Sequence, residues 1–312
     1  MGISTGEPAY VKPPSRLGAW LRRNPVALKE LRGRMRGARA FIVLSVYVGL
    51  MSAFTVVLYT IYTLQAQVTL TTTGGTIGKL IFGGVVAIEL FLVCFIAPAF
   101  TSGAISGEKE QRTFHILRTT LLPAWRIVFG KLLSAMAYVV LLLVVAVPLQ
   151  SLAFLMGGVT LAEVLLSVEL LLVTAVAYAV IGLYFSSVTQ RTLGASVVTY
   201  VIVLLITIAL PLAALALLSF IGALMFAASN PLLEALILYG FGLLACTNPI
   251  ATAVLTEVVL LQNNSAFYFT QSLSNGTSLP LVSPWVIYTI LYLIISLVMV
   301  LLTVRRVRRI EV

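Results

Sequence analysis

Long, unbroken apolar runs separated by short charged or glycine-rich stretches dominate this chain. Six of them, Ala40–Leu64, Leu80–Phe100, Leu132–Met156, Val164–Phe185, Leu193–Phe226 and Trp285–Val304, reach the roughly 20 residues a helix needs to cross a hydrocarbon core. Strands of a barrel would be shorter and would alternate polar with apolar positions, so these continuous runs predict helices. The fifth run is longer than a span requires and contains Pro211, a site for a kink. Between spans five and six, Leu232–Ala245 is apolar but too short to cross, a length suited to a re-entrant segment. It follows Asn230-Pro231, and a second apolar helix follows Asn248-Pro249. Asn at the cap with Pro in the first turn marks a helix start. Residues 230–262 are therefore expected to form two half-helices that dip in from the outer face and return. The competing arrangement, in which both pieces cross, gives eight helices with the same terminal orientation. The expected fold class is an all-α polytopic membrane protein with six transmembrane helices, an N-terminal amphipathic interfacial helix and this re-entrant outer segment.

Composition excludes a soluble alternative. Hydrophobic residues make up 60% of the 312 and charged residues only 10%, against about a quarter charged in an ordinary globular protein. So little charge cannot cover a water-exposed surface. The net charge of +10 flanks the apolar runs, which points to a membrane surface and away from nucleic acid. Nineteen of the twenty basic residues fall before span one, between spans two and three, between four and five, or after six; Lys79 alone falls on the other side. The positive-inside rule then places both termini in the cytoplasm, in a cell (plasma or inner) membrane. Met1–Ser15 is rich in Gly and Pro without an apolar core, and reads as a loose cytoplasmic tail rather than a signal peptide. Residues 305–312 form a basic tail at the other end.

Within residues 16–39, Asn24-Pro25 opens a helix on which Ala27, Leu28, Leu31, Met35 and Ala38 share one stripe. Lys29, Arg32, Arg34 and Arg36 lie outside the stripe with Glu30, which can pair with Arg34 at i, i+4. Such a helix lies along the cytoplasmic interface among anionic headgroups, although any basic tethering segment would read the same way. The loop 103–131 is richer than a connector needs to be. Ser106 is placed to cap a helix, with Glu108 and Glu110 in its first turn. Phe114, Leu117 and Leu121 then form a short apolar stripe, and Pro123 starts the next helix with Trp125 at interface level.

At this point the chain resembles the permease subunits of type-2 ABC exporters. The resemblance rests on Ile105-Ser106-Gly107-Glu108-Lys109-Glu110, on Thr113-Phe114-His115-Ile116-Leu117-Arg118-Thr119-Thr120, and on Pro123-Ala124-Trp125-Arg126-Ile127-Val128-Phe129-Gly130-Lys131-Leu132. It extends to the Asn24–Arg32 stretch, Asn248-Pro249, Ser283-Pro284-Trp285 and the basic tail. Arg112 stands where the family more often has Gly, and Arg118 where an apolar residue is usual. The resemblance implies that residues 16–39 are the elbow helix and that 40–304 form the transmembrane domain. It also implies that loop 103–131 couples to an ATPase subunit, with Glu108, Glu110, Arg112, Phe114, Leu117 and Arg118 as candidate coupling residues. Two permease halves, identical or similar, would face each other, with substrate passing along spans two and five. ATP and magnesium would be bound by the partner ATPase through its P-loop, and no cofactor by this chain.

The chain's own chemistry is sparse. Thr73-Gly74-Gly75-Thr76-Ile77-Gly78-Lys79-Leu80 approaches a phosphate-binding loop but lacks the first glycine and the terminal hydroxyl. All ten acids are glutamates, so the aspartate that usually holds magnesium in such a motor is missing. Glu89 falls midway along span two, where a carboxylate marks either a pathway or a packed, hydrogen-bonded pair. Glu169 in span four reads as the packed kind, and Gln150, just after Pro148, as a donor to a carbonyl the proline frees. Cys94 and Cys246 read as small buried hydrophobes. With His115 as the single histidine, no paired-histidine metal site can form. Asn263-Asn264-Ser265 and Asn275-Gly276-Thr277 match the glycosylation pattern. The alternatives to an exporter permease are a proton-coupled secondary transporter using Glu89 and Glu169, and a non-transporting membrane scaffold.

Overall fold

The computed structural model describes residues 38–69, 74–113, 123–217, 231–263, 267–272 and 278–310, together with Glu30 and Gly33. The N-terminal tail, most of the interfacial helix, and Phe114, Leu117 and Arg118 lie outside the described residues. Six helices are long and apolar enough to cross a membrane. In chain order they are α1 (Ala38–Thr69), α2 (Gly74–Thr101), α4 (Ala124–Leu155), α5 (Leu161–Val188), α6 (Thr192–Leu204, continuing to residue 217) and α9 (Pro284–Ile310). A short helix, α3 (Ser106–Glu110), follows α2, and two further helices, α7 (Pro231–Ala245) and α8 (Pro249–Asn263), precede α9. Each of these two is 15 residues long, about 22 Å of helix and short of a hydrocarbon core. Among the described residues this length favours re-entrant segments over the eight-span arrangement.

The packed centre joins α2 and α5. Leu90, Cys94 and Ala97 meet Ala175, Tyr178, Ala179 and Leu183, and Tyr288 and Tyr292 of α9 complete the cluster. The approach is close at Gly182, where a Cβ would collide with Thr101 Oγ1 and lie 3.2 Å from the Pro98 carbonyl. Small residues allow this backbone proximity, from which membrane helices draw much of their packing. A second cluster sets Tyr47 and Met51 of α1 against Ile81 and Val85 of α2 and Tyr138 and Leu142 of α4. Helix α1 leaves Phe41 and Val56 exposed and α6 leaves Leu193 and Leu212 exposed, apolar faces suited to lipid or to another membrane helix. Helix α5 starts with a complete capping box: Thr160 Oγ1 accepts from the Glu163 amide while Glu163 accepts from the Thr160 amide.

Just before its proline, span five carries one π-helical turn over Leu205–Ala209. Pro211 has no amide hydrogen to give the Thr207 carbonyl four residues back. Asn248 supplies the missing donor: its Nδ2 reaches Thr207 O at 3.0 Å and Ile206 O at 2.8 Å. The same side chain caps α8, accepting from the Ala251 amide at 2.8 Å. The turn between α7 and α8 is thus pinned to the middle of span five. After α8, β1 (Tyr268–Ser272) and β2 (Ser278–Val282) pair antiparallel, Tyr268 opposite Val282, a hairpin added to the expected all-α plan. Tyr239 of α7 donates to its Pro280 carbonyl.

Candidate functional site

The glutamate- and lysine-bearing segment after α2 is used residue by residue to grip neighbouring helix ends. Ser186, near the end of α5, accepts at its Oγ from the Ile105 and Ser106 amides, both at 2.9 Å. The Ser106 hydroxyl donates to Ser102 O at 3.2 Å and meets Ser186 Oγ. Ser106 therefore does not cap the helix as expected. The cap position is Ile105, without a side-chain hydrogen bond, because the serine hydroxyl is already engaged on the preceding turn. Lys109 Nζ donates to the Ser187 and Thr189 carbonyls, placing a cation on the unpaired carbonyls that end α5. Glu110 Oε2 accepts from the Thr192 amide at 3.0 Å and the Thr192 hydroxyl at 2.7 Å, placing an anion at the start of α6. Glu110 closes the five-residue α3 rather than lying in its first turn.

Glu108 points the other way. Lys131 of α4, only 1% exposed, donates to Glu108 Oε1 at 2.8 Å, Glu30 Oε1 at 2.7 Å and the Ala104 carbonyl at 2.7 Å. Ser134 donates to Glu30 Oε2 at 3.0 Å. Removing Lys131 Nζ from water is offset by three hydrogen bonds, two of them to carboxylates. One cation thus joins Glu30, ahead of span one, to the segment after span two and the start of span three. Arg34, the i+4 partner expected for Glu30, lies outside the described residues. Arg112 follows in the left-handed region at φ 55°, where a side chain is disfavoured and Gly is not. Trp125 is partly exposed, and the Arg126 guanidinium lies 5.4 Å from its ring centre.

The intramembrane carboxylates are both met by donors. Glu89, 1% exposed, accepts from Gln150 Nε2 at 2.5 Å, and the buried Tyr47 hydroxyl of α1 lies beside it, outside strict hydrogen-bond geometry. Gln150 therefore does not serve a carbonyl freed by Pro148. A carboxyl buried in hydrocarbon is the costlier group to leave unpaired, and it takes the amide. A cavity of about 120 Å³ adjoins the pair, lined among others by Val144, Val147 and Leu172. Glu169 Oε1 accepts from Thr289 at 2.7 Å, a contact of the packing kind. The phosphate-loop look-alike is helical from Gly74 onward, and Lys79 pairs with Glu163 at 2.9 Å. Sequence reasoning singled out Glu108 and Glu110 but missed Lys131 and Thr192 as their partners, and Ser186 as the acceptor of the Ile105 and Ser106 amides. It also missed Asn248 as the ligand of a span-five carbonyl. Their signal was present only as Pro211 and the polar turn between spans four and five. No curated protein matches the chain. A family model described as ABC-2 family transporter protein matches residues 24–307.

Proposed function

Since the chain belongs to the ABC-2 transporter family and is a permease component of an ABC transporter, we propose that it forms half of an exporter's pathway. In this proposal a separate ATPase subunit, carrying the P-loop and its ATP and magnesium, docks on loop 103–131. A second permease half, identical or similar, completes the pathway, and both termini are cytoplasmic. What supports the docking assignment is the anchoring of that loop. Its first arm is tied to spans four and five through Lys109 and Glu110, and to span three and the interfacial helix through Glu108 and Lys131. A push on residues 113–123 would therefore reach four elements without slack. Phe114 and Leu117, three positions apart in sequence, supply the apolar contact in this proposal, with Arg112 and Arg118 flanking them.

Purification from native membranes tests this directly. A P-loop ATPase should accompany the chain in comparable amount, and Phe114→Ala or Leu117→Ala should uncouple ATP hydrolysis from transport or release the ATPase. Native mass measurement should count two permease halves. A stable, transport-competent preparation holding this chain alone would overturn the proposal and leave a secondary transporter. Glu89 remains the candidate pathway residue, reached through the small cavity beside Gln150.

A further inference from the structure

A larger cavity, about 230 Å³, lies at the opposite end of the bundle from Lys131, between the starts of α2, α5 and α9 and the length of α8. It exceeds the roughly 150 Å³ in which an apolar cavity accepts a benzene-sized guest. Its walls are largely hydrocarbon, from Phe82, Val86, Leu170 and Val254, with Trp285 at one side. Besides the Trp285 indole, four polar side chains break this lining, and the Ser167 hydroxyl is spent on the Val164 carbonyl. Glu163 is fully committed, with Oε1 on Lys79 and Oε2 on the Thr160 amide. Glu257 has no hydrogen bond or ion pair among the described residues. Thr256 is 6% exposed and lines the cavity, yet its Oγ1 has no hydrogen-bond partner among the described residues.

A buried hydroxyl without a partner costs about 1–3 kcal/mol, and a carboxylate facing hydrocarbon costs more. Placed side by side at an apolar cavity, the two define a missing ligand: one that donates hydrogen bonds, carries positive charge and brings an apolar body. Lys79 and Glu163 neutralise each other, so the unbalanced charge of the site is that of Glu257. Burial first, and then the Glu163 carboxylate, raise the Glu257 pKa above the usual carboxylate range, with Lys79 offsetting part. A bound cation would favour its ionised form. The Trp285 ring adds a face that attracts cations.

We propose that this cavity binds an amphiphile with a cationic amine head, the ammonium on Glu257 and Thr256 and the hydrocarbon body among Phe82, Val86 and Val254. The site belongs to one chain and does not depend on the exporter proposal. Either a free alkylamine or the ethanolamine head of a membrane lipid has this chemistry.

The test uses the full chain in dodecyl maltoside micelles, with Trp20 and Trp125 replaced by Phe so that Trp285 is the remaining fluorophore. A chain-brominated dodecylamine should quench Trp285 saturably, whereas the equally brominated dodecanol and dodecanoate should not. Glu257→Gln should weaken the amine about tenfold, a loss of one ordinary charge-assisted contact. Thr256→Val should fold at least as stably as the parent and weaken the amine severalfold, so it carries the test if Glu257→Gln fails to assemble. A chain-brominated phosphatidylethanolamine, titrated alongside, tells a resident lipid from a free amphiphile. Equal quenching by amine and alcohol, or an amine affinity unchanged in the folded variants, would overturn the assignment.

Discussion

Replacing Lys131 by Met removes the cation that Glu30 and Glu108 share while keeping most of its buried aliphatic stem. The two carboxylate oxygens facing Nζ lie within about 5.5 Å of each other, where like charges repel by about 3 kcal/mol at an effective dielectric near 20. The glutamate side chains are 21% and 28% exposed, so water screens part of this. The expected cost of Lys131→Met is about 2–3 kcal/mol, toward the low end for breaking a buried pair. The second variant makes the reasoning testable. In the parent, Glu108→Gln deletes a favourable contact and should destabilise by about 1 kcal/mol. In the Lys131→Met background it deletes a repulsion and should stabilise by a similar amount, so the sign reverses. Reversible unfolding of the four proteins in mixed micelles closes the cycle. If Glu108→Gln destabilises equally in both backgrounds, the three groups do not form one charge network. Under the proposed docking of an ATPase on loop 103–131, Lys131→Met should also lower coupled turnover, because Glu30 is then released from span three.

Three further outcomes follow from single residues. Arg112→Gly should stabilise the chain by about 1 kcal/mol in thermal unfolding, since the left-handed conformation at φ 55° penalises every residue except Gly. Asn248→Ala should cost about 2 kcal/mol, and the cost should shrink when Pro211→Ala restores the amide that serves Thr207 O; equal costs in both backgrounds would show that the side chain does not replace that bond. Glu89→Gln should shift transport or its pH profile if Glu89 lines the pathway, and leave both unchanged if the Gln150 contact is packing alone; transport measured over a pH series with this variant decides.

Span number and the shortness of α7 and α8 were readable because hydrocarbon thickness imposes a length, and length is written directly in the sequence. Asn248-Pro249 was read as a helix start for the right reason, since the side chain does cap α8. Its second duty, on Thr207, depends on which span the turn touches, and no local pattern carries that information. Gln150 failed likewise: proximity to Pro148 suggested a local bond, but a carboxyl 61 positions away in sequence took the donor. The hairpin was missed because its strands are only five residues each, too short to stand out between long apolar helices. At the junction, Glu108 and Glu110 look alike in sequence, yet helix geometry sends one to Lys131 and the other to Thr192.

The Glu110–Thr192 bond and the π turn together make span five a lever with its fulcrum inside the membrane. From Thr192 to Leu205 the arm is about 20 Å of rigid helix, held at its near end by a carboxylate. At Leu205–Ala209 the helix has exchanged part of its own hydrogen bonding for that of Asn248, so this is where it yields most cheaply. A displacement of about 3 Å at the gripped end would turn such an arm by about 10°. The α7–α8 turn, which Asn248 fastens to Ile206 and Thr207, would sit at the pivot itself and feel the rotation of the arm directly.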